Sequence, residues 1–403
     1  MAVRDIADIA DIRRHARGPR GSDELLQEFV GRLFGDLPRA DQLNRAREYV
    51  TGLLVTPGKK SLRRMAAAVS ESPHTSQALQ QFLNSSPWAW HPVRRALAGW
   101  TEEHRPTLTW SLGLAVLPKR GDHSAGVHRR FVQDADRTVN CQLGVGLFLG
   151  SGDDCIPVDW RLVLPGHWQT DSARRAAVRI PEGEPTPAEG ACALDLVRTQ
   201  TAATGRTDVP LVADLTQLPH DASFLPGLAA LGTGFVVRIP ASTALRLPAG
   251  PGRPVPARQL LHSVTAVTGI GSGVVPDAGG RGHSRVRTCA VRLGHAAPPS
   301  PQRPCVLIVE YPAGEHSSPR YYVTDLTHHR PGEILRLAGA AYRTREAVRE
   351  MQDHYGLLDY EGRSYPGWHR HMTLVSAAHA FRQLSGREPG AEMPGRAGTA
   401  KAA

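Results

Sequence analysis

Long apolar runs are missing from this chain of 403 residues. None approaches the roughly 20 residues that a membrane span requires. No basic start followed by an apolar stretch marks a secretory leader. The expectation is therefore a cytoplasmic protein with no membrane partner. Cysteines are few and scattered: Cys141, Cys155, Cys192, Cys289 and Cys305 contain no CxxC pair. That spacing excludes a zinc ribbon and a disulfide-stapled scaffold, and it predicts reduced thiols. Acid is short as well. Against 48 Lys and Arg stand 38 Asp and Glu, a net charge of +10. Such an excess favours polyanionic partners, because each neutralised phosphate releases counterions. Most of the charge is Arg in a chain rich in Ala, Gly and Pro, as a GC-rich genome would also yield. Charge alone leaves both readings open.

What is present is periodicity. Residues 1–22 carry Arg13, Arg14, Arg17 and Arg20 and read as a loose basic arm. Leu25, Leu26, Phe29, Val30, Leu33 and Phe34 then recur at helical steps. Further helices are predicted at 39–55, 59–71, 74–84 and 90–102, giving a helical N-terminal domain over 23–105. At Leu108 the period changes. Strands are predicted at 108–117, 127–132, 142–150, 209–213 and 235–239, interleaved with helices at 191–203 and 222–231. Alternation of this kind argues for an α/β core. Residues 241–303 are dense in Pro and Gly and read as a β insertion, with strands at 263–267 and 286–293. Strands at 305–310 and 320–324 and helices at 332–354 and 371–384 resume the core. The core thus runs over 106–240 and 304–385, and 386–403 reads as a disordered tail.

Several motifs recur in a telling order. They include Leu79-Gln80-Gln81-Phe82-Leu83-Asn84-Ser85-Ser86-Pro87-Trp88, Leu117-Pro118-Lys119-Arg120-Gly121, Asn140-Cys141-Gln142-Leu143-Gly144-Val145, and Asp159-Trp160-Arg161-Leu162-Val163-Leu164-Pro165. Ala213-Asp214 follows. The most specific is Asp359-Tyr360-Glu361-Gly362-Arg363-Ser364-Tyr365-Pro366-Gly367-Trp368-His369-Arg370-His371. Together, over about residues 29–384, these resemble the insertion-sequence transposases of the DDE superfamily. The resemblance implies an RNase H-like α/β core, an N-terminal helical domain of DNA-binding type, DNA as partner in recombination, and a homodimer. It also implies Mg²⁺, held by two Asp and one Glu, since a two-metal site clamps both the attacking and the leaving oxygen.

The same resemblance marks what is absent. The first Asp should stand on the strand Trp110-Ser111-Leu112-Gly113-Leu114-Ala115-Val116-Leu117, which contains no acid. Gly113 or Leu114 occupies its place. Asp214 matches the second Asp and is the retained metal candidate. Arg345 stands where the Glu should be, and Ala341 where the family has Arg. Glu346 is off by one residue, which turns it about 100° around the helix. Glu350 lies one turn further on. An Arg345 pointing at Asp214 would form a salt bridge in place of a metal site. Lys119, Arg120, Arg343 and Arg349 are candidate phosphate contacts, with a solvated basic face as the plainer alternative. Trp368, His369, Arg370 and His371 are candidates for DNA contact near a helix start, with core packing as theirs.

Three readings follow. The first is a degenerate transposase, a pseudoenzyme that keeps the fold and DNA binding and needs no cofactor. The second is a fold repurposed as a small-molecule (secondary-metabolism) enzyme, with Asp214, Arg345, His369 or His371 as acid–base groups. The third is an active, Mg²⁺-dependent transposase with displaced carboxylates. It requires Asp122 or Asp159, with Glu346 or Glu350, to converge on Asp214.

Overall fold

The structure is a computed structural model that describes residues 22–385, apart from 133–135, 219–221, 249–252, 264–270, 277–281, 294–302 and 314–317. The expected basic arm (beyond Ser22) and the expected tail lie outside the described residues.

Helices α1 (Ser22–Phe34), α2 (Ala40–Val55), α3 (Leu62–Val69), α4 (Thr75–Asn84) and α5 (Trp90–His104) follow the predicted spans closely. The apolar positions that carried the prediction, among them Phe29, Val30, Leu33, Tyr49, Val50 and Leu53, are buried. Ser61 ends the loop before α3 by accepting the Arg64 N–H, satisfying one of that helix's orphan donors.

The sheet is built from β1 (Thr109–Pro118), β2 (His128–Val132), β3 (Arg137–Ser151), β4 (Asp154–Leu162), β5 (Leu211–Asp214) and β6 (Phe235–Ile239), with α6 (Ser172–Ala177), α7 (Glu189–Thr204) and α8 (Phe224–Ala230) between them. β1 pairs antiparallel with β3 and parallel with β5, β3 pairs antiparallel with β4, and β5 pairs parallel with β6. The order β4-β3-β1-β5-β6, with only the second strand of the path reversed against β1, β5 and β6, is an RNase H-like core.

β4 has no counterpart among the predicted strands. Pro157 interrupts its alternation, and a register shift between Leu147 and Phe148 on β3 absorbs it.

The segment expected as an insertion is part of this sheet. It contains β7 (Ala244–Arg246), β8 (Val255–Pro256), α9 (Ala257–Ser263), β9 (Gly271–Pro276) and β10 (His283–Leu293). β10 pairs with β11 (Cys305–Pro312) over eight residue pairs, and β11 pairs with β12 (Arg320–Thr324), which joins β6. The strand predicted at 263–267 is corrected at its first residue, since Ser263 ends α9. Its remaining residues lie outside the described ones.

Two long helices complete the fold, α10 (Pro331–His354) and α11 (Tyr365–Leu384). α10 lies across β1, β5 and β6, burying Ile334, Leu335 and Ala338 against Val212 and Val236. α11 begins six residues before its predicted start. Ser364 accepts the Gly367 N–H at 3.1 Å, and Pro366 sits in the first turn, where its missing donor costs nothing. Of its twenty residues only Pro366, Arg382 and Gln383 escape burial. It threads between β4 and the N-terminal helices α2, α4 and α5. Gly144 is what lets it approach, since a Cβ there would stand 3.0 Å from the Trp368 ring.

Candidate functional site

β1 runs on beyond the end of β5. The pairs Trp110–Leu211 and Ser111–Val212 set the parallel register, and extending it two residues puts Gly113 beside Asp214. α10 covers this face. Ser111 Oγ lies 2.6 Å from Thr344 Oγ1, which also donates to the Ala340 carbonyl at 2.8 Å. A Cβ on Gly113 would stand 2.6 Å from Thr344 Cγ2 and 2.9 Å from a Phe148 ring carbon. Leu114 belongs to the opposite face by strand alternation. Of the two candidates for the first-carboxylate position, the geometry thus singles out Gly113, and Thr344 already fills the space a side chain there would take.

Asp214 is 8% exposed and accepts three hydrogen bonds. Its Oδ1 accepts the Thr216 backbone N–H at 3.0 Å and the Thr216 hydroxyl at 2.5 Å. Its Oδ2 accepts from Arg238 Nη1 at 3.2 Å, and Arg345 Nη1 stands 3.7 Å away as an ion pair without a hydrogen bond. Arg345 does point at Asp214. Arg238 was not foreseen, although a lone charge inside Phe235-Val236-Val237-Arg238-Ile239 is a signal, and the β5–β6 register sets it opposite Asp214. Thr344 gave no signal in the sequence.

A cavity of about 780 Å³ opens at this step between the strands. Its walls include Leu112, Leu114, Val116, Val139, Val145 and Val348. The charged groups lining it are Arg130, Arg137, Arg345, Arg349 and Asp214. The position, outside the carboxyl end of β5 where neighbouring strands diverge, is where α/β sheets commonly bind ligands. Arg130 donates to Glu189 at 2.8 Å. Among the described residues no acid pairs with Arg137 or Arg349.

The acids proposed to rebuild a metal centre are engaged elsewhere. Asp122 is exposed and faces His123 and Arg174. Asp159 bridges Arg94 and Arg161 at 2.8 and 2.9 Å. Burial alone would raise its carboxyl, but the two guanidiniums outweigh burial and hold it below its usual range. Glu346 is exposed, and Glu350 accepts from Gln383 and faces His379 on α11. These residues do not converge on Asp214, which overturns the displaced-carboxylate arrangement. Among the described residues no group of three or more His, Cys, Asp or Glu is placed to hold a metal ion.

A family model for the DDE superfamily endonucleases matches residues 32–296. The chain belongs to that superfamily. The matched segment ends before α10, so Asp359 to His371 lies outside it. No curated protein matches the chain. Among solved structures, the piggyBac transposase of a cryo-EM synaptic complex with hairpin DNA superposes with a TM-score of 0.44 at 10% identity, covering 90% of this chain and 72% of that one. An overlay that loose carries no weight beyond itself.

In this DDE-superfamily chain the C-terminal signature is interior structure. Trp368, His369, Arg370 and His371 are all buried. Arg370 donates to the Trp88 and Leu83 carbonyls at 3.2 and 3.1 Å and covers the Trp88 ring. His371 Nε2 donates to the Gly356 carbonyl at 3.1 Å, which leaves Nδ1 to accept from the Tyr49 hydroxyl at 3.1 Å. Burial pulls His371 down to about 4. His369 stacks on Trp90 with centroids 4.5 Å apart, and its Nδ1 faces Arg94 at 3.2 Å. Burial, then Arg94, holds it well below the usual histidine range. In this structure none of these four presents a polar group to a ligand, which corrects their assignment as DNA contacts.

Lys119 is similarly spent. Its Nζ donates to the Tyr360 carbonyl over that residue's ring, and burial lowers it to about 8. Arg120 is exposed, and Arg343 is half-buried outside the cavity. Cys155, beside Thr344 at 3.4 Å, is raised to about 11 by burial and stays a neutral thiol.

Proposed function

We propose that this chain binds DNA and neither cuts nor joins it. The observation that carries this is the state of Asp214, which we read as the one family carboxylate kept in place. Arg238 and Thr216 hydrogen-bond its oxygens and Arg345 adds a second positive charge 3.7 Å away, so the charge a metal ion would supply is already met. Mg²⁺, when bound in such a fold, neutralises the attacking and leaving oxygens of a phosphoryl transfer. The residues here do not fit it. Thr344 takes the first-carboxylate space, and Arg345 brings a positive charge where the third carboxylate belongs. A hard dication has one occupied ligand and a like charge beside it.

DNA as partner is supported by membership of an endonuclease superfamily, by the net charge of +10, and by the arginines along the cleft. The helical region at 23–105 is the proposed second DNA-contacting part, and a homodimer the proposed assembly.

The test is fluorescence anisotropy of labelled duplex DNA across a salt series, beside a supercoiled-plasmid nicking assay with Mg²⁺ and with Mn²⁺. Expected are binding with a salt slope of roughly −0.9 per phosphate neutralised and no nicked product. Salt-independent or absent binding removes the DNA reading. Metal-dependent nicking that Asp214→Ala abolishes removes the catalytic-loss reading.

A further inference from the structure

The cleft has features that a phosphate track leaves unexplained. A DNA backbone would use the arginines and leave the leucine and valine walls idle, because a duplex presents sugars and phosphates outward. Leu112, Leu114 and Val116 on β1, with Val139 and Val145 on β3, make an apolar floor, and Val348 on α10 lines the same cavity. Phe131, on β2, lines the same cavity and is 56% exposed. About 780 Å³ is the size of a small-molecule site.

The charges give a balance. Four arginines line the cavity: Arg130, Arg137, Arg345 and Arg349. Arg130 is paired with Glu189, and Arg345 is shared with Asp214. That leaves two guanidiniums, Arg137 and Arg349, without an acid among the described residues. A phosphate monoester carries about two negative charges near neutral pH. Guanidinium suits it, because its planar donor fork matches phosphate oxygens in pairs.

We propose that the cavity between β1, β2 and α10 binds a small organic phosphate monoester. Its phosphate lies between Arg137 and Arg349, and its apolar body lies on the β1 floor beneath Phe131. The proposal draws on the same cleft arginines as the DNA reading, and the test below separates the two. Gly113 and Thr344 close the former first-carboxylate position beneath this site. The guanidinium of Arg345 keeps the Asp214 carboxylate from repelling the anion.

The experiment is isothermal titration of the full chain with 1-naphthyl phosphate, with 1-naphthol and inorganic phosphate as the two half-ligands. Arg137→Ala, Arg349→Ala and Phe131→Ser are titrated in parallel. All three residues are exposed, so the variants should fold, and a thermal melt checks that they do. Expected is one site per chain, bound at least tenfold more tightly than either half-ligand. Each arginine variant should weaken it tenfold or more, and Phe131→Ser should weaken naphthyl phosphate while leaving inorganic phosphate unchanged.

Naphthyl phosphate binding no tighter than inorganic phosphate overturns the proposal, as does equal affinity in wild type and variants. Duplex binding measured on the same samples separates the two readings. DNA bound with no naphthyl phosphate site sinks this inference alone. Naphthyl phosphate bound with no DNA sinks the other alone.

Discussion

Two regions of this protein are built in opposite ways. Helix α11 and its surroundings are almost wholly interior, and the cleft beside Asp214 is lined in part by exposed side chains. The interior region is held by one hub. Arg94 joins α5, β4 and α11 through Asp159, Thr373 and the carbonyls of Trp160 and His369. Arg94 and Thr373 are buried, Asp159 is half-buried and all are hydrogen-bonded, so a change at one leaves the others short of a partner. Phe131, Arg137 and Arg349 at the cleft are exposed, and substitutions at those three cost little folding energy. Sequence identity in a fold family can therefore report packing constraint while saying nothing about retained activity.

The sharpest way to break this comparison is Arg94→Ala. Removing it leaves the Trp160 and His369 carbonyls and one Asp159 oxygen without their donor while Arg161 stays on Asp159, and the loss should be about 2–3 kcal/mol. Urea denaturation measures it, and a loss under about 1 kcal/mol would mean that the α5–β4–α11 junction is not the scaffold argued here.

Acid comes next. His371 is held near 4 in the folded chain against 6.5 when free, and His369 is shifted the same way. The unfolded chain therefore binds more protons between those values. Stability is full above about pH 6.5 and falls as pH drops toward 4, by on the order of 3 kcal/mol for His371 alone. Thermal melts across that window should show the decline. A wild-type profile no steeper than that of His371→Gln would remove histidine burial as its cause.

Gly113→Asp probes the cleft. The new Cβ meets Thr344 Cγ2 at 2.6 Å, and the overpacking should cost about 1–3 kcal/mol. Combining it with Thr344→Ala and Arg345→Glu restores space and charge together. Isothermal titration should then show Mn²⁺ binding absent from the wild type. A triple variant that folds yet binds no Mn²⁺ would show that more than three residues separate the cleft from a metal site.

The smallest effect is expected for Arg345→Ala. Its side chain is 40% exposed, and Arg238 remains on Asp214. The loss in chemical denaturation should stay below about 1 kcal/mol. A larger one would make Arg345 part of the scaffold.

Periodicity alone determined the N-terminal helices, most strands of the core and the order in which they alternate, because burial on one face leaves a repeating mark along the chain. It also placed Asp214 at a strand end and exposed the lack of acid in β1. It missed β4, because a proline and a register shift erase alternation, and the start of α11, where Ser364 and Pro366 were the unread signals. Tertiary structure alone decided the rest. Arg238 and Thr344 reach Asp214 and Gly113 from elements distant in sequence, and strand register and helix packing bring them there. Burial, too, was settled only in three dimensions. Trp368, His369, Arg370 and His371 read along the chain as either DNA contacts or core packing. They are interior because α11 is enclosed on every side, a condition that no local pattern of polar residues announces.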